Sequence, residues 1–315
     1  MCTAIFDDML FGRTLDLECS YGESVVITPR GYRFNYLYEK DIRDNAIIGI
    51  AHIENGVPLY YDAMNENGLC MAGLNFPKYA VYQPRAEGKT NIASFELIPY
   101  ILRNSDSVAE AIKLLRDINI TSDSFSYELQ ATPLHWMLAD KSGAIVVEAT
   151  ADFLKIHKND FGVMTNSPDF NYHRINASNY MGLNSKAPIN TLYPNVDLEN
   201  YSRGLGAFGL PGDFSSASRF IRAIYTKSHT CVDKSRINRY FHIMDSVSVP
   251  MGCIITDTGE AVYTIYTSCM DMSSCDFYYT TYENRAIKKV GLYDFDLDGN
   301  KIIEIKIIEN ELPSA

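Results

Sequence analysis

Two strand-like runs open the chain, each with a period of two. Cys2, Ala4 and Phe6 alternate along the first and stand against Phe11, Arg13 and Leu15 along the second. This predicts a hairpin: a strand Cys2–Phe6, a turn at Asp7-Asp8 and a return strand Met9–Leu17. Val25-Val26-Ile27 reads as a short strand, and residues Met64–Asn75 as a hairpin turning at Glu66-Asn67-Gly68. The pattern then changes to a helical one. Phe95–Leu102 is apolar apart from Glu96 and Pro99, and Ser107-Val108-Ala109-Glu110 is a capping box opening a helix over Ala109–Arg116. Leu134–Thr150 returns to strand with a turn at Lys141-Ser142-Gly143, and Phe161–Thr165 is one more short strand. Three helices are predicted next: Phe170–Tyr180, Ser215–Lys227 with Ser215 or Ser216 as N-cap, and Ile237–Val247. Strands close the chain at Tyr263–Thr267, Phe277–Tyr282 and Ile302–Ile308, with Asp298-Gly299 read as a hairpin turn.

This order of strands, helices, strands, helices, strands is not a βαβ alternation and disfavours a doubly wound parallel sheet. Two largely antiparallel sheets with helices packed outside fit it, an α+β fold of the αββα sandwich kind. The 315 residues, 46% of them hydrophobic, show no linker or low-complexity stretch, so one domain over 1–315 is expected.

Composition narrows the function. With 28 basic against 39 acidic residues the formal charge is −11. No basic stripe is visible, so a nucleic-acid partner is not expected. The seven cysteines are scattered, odd in number and without CxxC spacing, which fits neither a disulfide framework nor a zinc site but a reducing, cytoplasmic setting. Residues 1–30 lack a signal-peptide pattern, and no apolar run approaches the length of a membrane span. The histidines show no metal-ligand spacing, and no metal or cofactor is expected. Asp294-Phe295-Asp296-Leu297-Asp298-Gly299 imitates the start of a calcium loop, but Ile305 stands where that loop needs a bidentate glutamate.

Candidate chemistry begins at Cys2. Removal of Met1 would make it the first residue, carrying a thiol and a free α-amine together. An α-amine with an ordinary pKa of roughly 7.7–8.0 is partly a free base near neutrality, so the nucleophile would carry its own proton acceptor. If Met1 stays, that amine is lost, and a catalytically silent binding protein is the alternative. A papain-like pairing of Cys2 or Cys70 with His135 is a third reading, without the sequence motif such proteases carry.

Four further strings follow Met1-Cys2-Thr3 in order: Phe11-Gly12-Arg13-Thr14-Leu15-Asp16, Gly73-Leu74-Asn75-Phe76-Pro77, Met164-Thr165-Asn166-Ser167-Pro168, and the stretch from Gly209-Leu210-Pro211-Gly212-Asp213 to Arg219-Phe220. Taken singly, Arg13 and Asp16 read as an exposed i, i+3 pair, Asn75 and Asn166 as turn residues near prolines, and Arg219 as a solvent-facing helix residue. Taken together, and with His135-Trp136-Met137, Tyr266-Thr267-Ser268-Cys269 and Thr281-Tyr282-Glu283-Asn284, they resemble the choloylglycine hydrolase family of bile salt hydrolases and penicillin V acylases over nearly the whole chain. The resemblance implies an N-terminal nucleophile hydrolase αββα sandwich. It also implies that Cys2 attacks an amide carbonyl, Arg13 favours its thiolate, Asp16 holds the α-amine, Asn75 and Asn166 donate to the oxyanion, and Arg219 pairs with carboxylate and amide groups around the site. One departure is a short first hairpin, with only 10 residues between Cys2 and Arg13.

For the substrate, Asn rather than Tyr within Gly-Leu-Asn-Phe-Pro favours a conjugated bile salt over penicillin V within the family, with an N-acyl homoserine lactone as a further alternative. Leu15, Tyr60, Phe125 and Leu129 fall in segments that resemblance places along the pocket. It also implies a homo-oligomer, a tetramer.

Overall fold

The computed structural model describes residues 1–231 and 235–307. Two antiparallel sheets lie face to face. The first runs, in spatial order, Val163–Met164, Cys2–Asp7, Leu10–Leu17, Ala261–Asp271, Asp276–Thr281 and Lys288–Gly291, with Ile254–Ile255 beside Ala261–Asp271. The second runs Leu154–Lys158, Gly143–Ala149, Leu134–Asp140, Cys70–Asn75, Val57–Asn65, Ile47–Glu54, Ser24–Thr28 and Ile303–Lys306. A parallel pair, Thr90–Ala93 with Ile118–Thr121, stands apart.

The two sheets are sandwiched by helices. Helices α1 (Leu97–Asn104) and α2 (Val108–Leu115) cover the outer face of the second sheet, while α4 (Ser216–His229) and α5 (Arg236–Asp245) cover the outer face of the first. Helix α3 (Phe170–Asn176) packs against α4. Parity accounts for the layers. In the second sheet Val25, Ile27, Ala72, Leu74, Met137 and Ala139 enter the core shared with the first sheet, whereas Val26, Met71, Trp136 and Leu138 face α1 and α2 in a second core. The strand Ile47–Glu54 carries apolar residues on both parities because both of its faces are buried, and the sequence pattern alone did not single it out.

Helix caps follow the sequence with one difference. Ser107, Asp169, Ser215 and Ser235 each accept a main-chain N–H three residues on. The expected capping box at Ser107 is half formed, because the Glu110 side chain accepts from Asp106 N–H and from Arg43.

The first hairpin turns one residue later than expected, at Asp8-Met9, both with positive φ (49° and 66°). This is the sense of a type I′ turn, which matches the right-handed strand twist. The reading of Asp298-Gly299 as a hairpin turn is corrected. The strand before it lies in the first sheet and the strand after it in the second, so these residues form a crossover, where Asp298 pairs with Arg30. Ile308, the expected end of the last strand, lies outside the described residues. No helix among the described residues is long and apolar enough to cross a membrane.

Candidate active site

The short first hairpin keeps its register. Cys2 pairs with Leu15, Ala4 with Arg13 and Phe6 with Phe11, so all six side chains project from one sheet face into the space between the sheets. There a guanidinium nitrogen of Arg13 (Nη2) donates to Cys2 Sγ. Its Nη1 donates to the Gly73 carbonyl at 2.7 Å, across the gap on the second sheet, and its Nε to Thr14 carbonyl at 3.1 Å. Arg13 is fully buried, and among the described residues no carboxylate pairs with it directly. Burial opposes its charge, yet Cys2, Tyr266, Asp62 and Asp16 nearby outweigh that and raise its pKa. Gly12 makes this close fit possible: a Cβ there would stand 2.0 Å from the Ser268 carbonyl oxygen. Ser268 can therefore come close enough for its Oγ to accept Arg13 N–H at 3.0 Å.

The main chain of Cys2 is held from the helical layer. Arg219 on α4 is fully buried and donates from Nη1 to the Cys2 carbonyl at 2.5 Å and to Thr3 Oγ1 at 2.6 Å, and from Nη2 to Asn166 Oδ1 at 2.7 Å. The same Oδ1 accepts the Cys2 N–H at 2.8 Å. Both partners are donors, so the oxygen of Asn166 must face them, and its Nδ2 donates to the Asn75 carbonyl at 2.8 Å.

Three of the expected residues are held as follows. Asn166 turns its acceptor to the Cys2 nitrogen and uses one of its two amide donors on the Asn75 carbonyl. Arg219 pairs with amide and carbonyl oxygens and with Thr3, and among the described residues with no carboxylate. The Asp16 carboxylate lies on the opposite sheet face from Sγ and accepts from Thr14 Oγ1 at 3.1 Å and Thr264 Oγ1 at 2.7 Å; a β-bulge between Thr264 and Tyr266 brings Thr264 to it. Only its main chain meets the N-terminus, as one extra rung with Met1. Asn75 lines the cavity beside Cys2.

Above the thiol opens a cavity of about 500 Å³. All four residues expected along a pocket, Leu15, Tyr60, Phe125 and Leu129, line it, together with Leu59 and Leu134. The Tyr60 hydroxyl is already engaged, at 2.7 Å from Thr28 Oγ1, so the ring offers the cavity an apolar surface. Glu18, Glu128 and Gln130 supply polar groups among the lining.

Residues 2–305 match the family model described as linear amide C–N hydrolases, choloylglycine hydrolase family.

The chain belongs to the choloylglycine hydrolase family.

Among relatives of this choloylglycine hydrolase, the bile salt hydrolase/transferase of Lactiplantibacillus plantarum is 45% identical, with 96% of each chain covered. A mutant of the conjugated bile acid hydrolase from Clostridium perfringens superposes with a TM-score of 0.92 at 34% identity over 98% of both chains. The penicillin V acylase of Agrobacterium tumefaciens, at 20% identity, shares the fold with a TM-score of 0.75 over 96% of this chain and 90% of its own. The architecture is that of the N-terminal nucleophile hydrolases, and the enzyme class is amide C–N hydrolase.

The sequence reading of this choloylglycine hydrolase missed a buried network behind Arg13. Asp62, on the second sheet, accepts from Tyr266 Oη at 2.5 Å and Ser268 Oγ at 2.7 Å. Burial pushes its carboxyl up, against the pull of Arg13, Tyr266 and Ser268. A lone acid inside the apolar strand Val57–Asn65 was the available signal.

Proposed function

We propose that the chain hydrolyses the amide bond of glycine- or taurine-conjugated bile salts through an acyl-thioenzyme on Cys2, in a form from which Met1 has been removed. The observation that carries this reading is a thiol on the floor of a largely apolar cavity, touched by one buried guanidinium, in a chain nearly half identical to a bile salt hydrolase/transferase. An amphipathic steroid needs such a cleft.

In the mechanism that follows, Arg13 stabilises the thiolate as the thiol proton passes to the α-amine. Sulfur attacks the amide carbonyl carbon, and the C–N bond breaks as the leaving amine takes the proton back from the Cys2 ammonium. Water, giving a proton to the α-amine, then attacks the thioester; the C–S bond breaks, that proton passes to the departing sulfur, and the acid leaves with Cys2 restored as a thiol. Asn166 Oδ1 orients the α-amine throughout, and Arg219 fixes both Asn166 and the Cys2 carbonyl. Asn75, at the cavity wall, is the side chain assigned to the oxyanion. A second amine replacing water at the thioester would give the transferase outcome that the Lactiplantibacillus relative's name includes.

Conjugated bile salts are expected to show a higher kcat/KM than penicillin V, since the larger apolar face buries more area at about 25 cal/mol per Å². Only the share realised in the transition state raises kcat. Amine release from glyco- and tauro-conjugates measures this directly. More efficient cleavage of penicillin V than of both conjugates would instead assign the acylase reading, which the shared fold of the Agrobacterium enzyme keeps in view.

We further propose a homotetramer, in one domain per chain. Within the irregular segment 181–208, Met181, Ile189, Leu192, Tyr201 and Phe208 are each more than 80% exposed, a density of large apolar side chains that marks an interaction surface. Light scattering on the wild type should give four times the chain mass, and Ile189→Asp with Leu192→Asp should lower it. A monomeric wild type would remove the proposal.

A further inference from the structure

Asn166 reaches the Cys2 nitrogen from a short segment between the strand Val163–Met164 and α3. What holds that segment is a buried cluster that the mechanism above does not use. Glu148, fully buried on the strand Gly143–Ala149, turns Oε1 to the first N–H of α3, at Phe170, 2.9 Å away. The same oxygen lies 3.5 Å from His135 Nδ1, and Oε2 lies 3.2 Å from His157 Nε2. His135 passes the contact on, with its Nε2 donating to the Thr165 carbonyl at 2.8 Å. One carboxylate therefore reaches both ends of the stretch Thr165–Phe170, directly at Phe170 and through His135 at Thr165. From the opposite side, His173 Nε2 and Ser216 Oγ donate to the Asn166 carbonyl at 2.9 and 2.8 Å.

His135 also packs on the residue that follows the other asparagine. Its ring stacks on Phe76, with centroids 4.2 Å apart and planes 7° from parallel, and Phe76 directly follows Asn75. Burial alone would raise the Glu148 carboxyl, but the approach of His135 and His157 and the Phe170 N–H hold it down at about 2. It stays an anion across the working pH range.

We propose that Glu148 and His135 are positioning residues for the reaction. Together they fix the segment that presents Asn166 to the Cys2 nitrogen, and His135 fixes the Asn75–Phe76 step beside it. A carboxylate buried only for stability needs no link to both ends of one short segment. Here any slack in the Glu148 contacts passes along the Thr165–Phe170 main chain to Asn166, whose side chain accepts from the nucleophile's own nitrogen.

The inference rests on the reading of Asn166 as the group that orients the α-amine. Its test is made on the full chain, confirmed by mass to begin at Cys2. Glu148→Gln keeps an acceptor for Phe170 N–H but loses the charge facing His135 and His157. Its kcat on a glycine-conjugated bile salt should fall about tenfold or more, with KM within about twofold, because misplacement acts on the nucleophile and not on substrate binding. The pH midpoint of kcat/KM should move as well. His135→Gln, whose side-chain amide still donates toward the Thr165 carbonyl, should lose less. A Glu148→Gln chain with lowered Tm but wild-type kcat and pH profile would make the cluster structural only and overturn the proposal. If Glu148→Gln does not fold, His135→Gln decides alone: a fall in kcat without a rise in KM upholds the positioning role, and wild-type values remove it. Should the wild type cleave no conjugate, the rate of Cys2 alkylation by iodoacetamide is the readout. Slower alkylation in the variants supports positioning, and equal rates refute it whatever the substrate.

Discussion

Cys2→Ser should fold, bind substrate and turn over at least about a thousandfold more slowly. The side chain points into the space between the sheets, is 1% exposed, and its sulfur takes a hydrogen bond from Arg13. Oxygen is smaller, so nothing is overpacked and Tm should change little. The chemistry changes more. A hydroxyl gives up its proton far less readily than a thiol near neutral pH, and one guanidinium contact does not make up that gap. Processing is part of the same expectation. While Met1 is attached, the Cys2 nitrogen is an amide that donates to Asn166 and cannot accept a proton. N-terminal sequencing and intact mass set against turnover check both points: activity should track the fraction of chains beginning at Cys2. Full turnover from a chain that retains Met1, or more than a tenth of wild-type rate from Cys2→Ser, would end the proposed mechanism.

Arg13→Met is expected to lower kcat/KM by about 10²–10³, the usual cost of removing one preorganised donor from a buried reaction centre. It should also slow alkylation of Cys2 at neutral pH. Methionine fills much of the volume but supplies no donor, so the Gly73 and Thr14 carbonyls lose their partners. An unmet buried carbonyl costs about 1–3 kcal/mol; water entering from the cavity would offset part of this, leaving a Tm lower by several degrees. The activity loss should exceed anything the stability loss explains when assayed well below Tm. An alkylation rate equal to wild type would show that Arg13 supports the sheets and not the thiol.

The parts of this molecule legible in the sequence are those governed by local periodicity. The alternation from Cys2 to Leu15 gave the parity that puts Cys2 and Arg13 on one face, and a one-residue error in the turn left that parity untouched because the strands pair through Phe6 and Phe11 on either side. The starts of α2 and α4 were legible because Ser107 and Ser215 do their capping within three residues. What stayed hidden depends on contacts far apart in sequence. Asp62 meets Tyr266 and Ser268, and Glu148 meets the N-terminus of α3, only after both sheets have formed. The direction of the Asn166 amide stayed hidden too, because which end faces the nucleophile is decided by Arg219 and the Cys2 N–H arriving together. The crossover at Asp298-Gly299 read as a hairpin because a local turn signal says nothing about which sheet the next strand joins.

One wall of the cavity is built from different material than its floor. The thiol, both arginines and Asp16 sit on paired strands or a packed helix, each fixed by several partners. Phe125 and Leu129, by contrast, belong to an irregular stretch between the strands Ile118–Thr121 and Leu134–Asp140, held mainly by its own short-range hydrogen bonds. Inheritance and laboratory selection would therefore meet two unequal landscapes. Changes in that wall can re-shape which acyl group is admitted while leaving the thiol's surroundings intact, whereas changes in the floor propagate through a rigid frame. New substrates are within reach of small loop changes, and new chemistry is not.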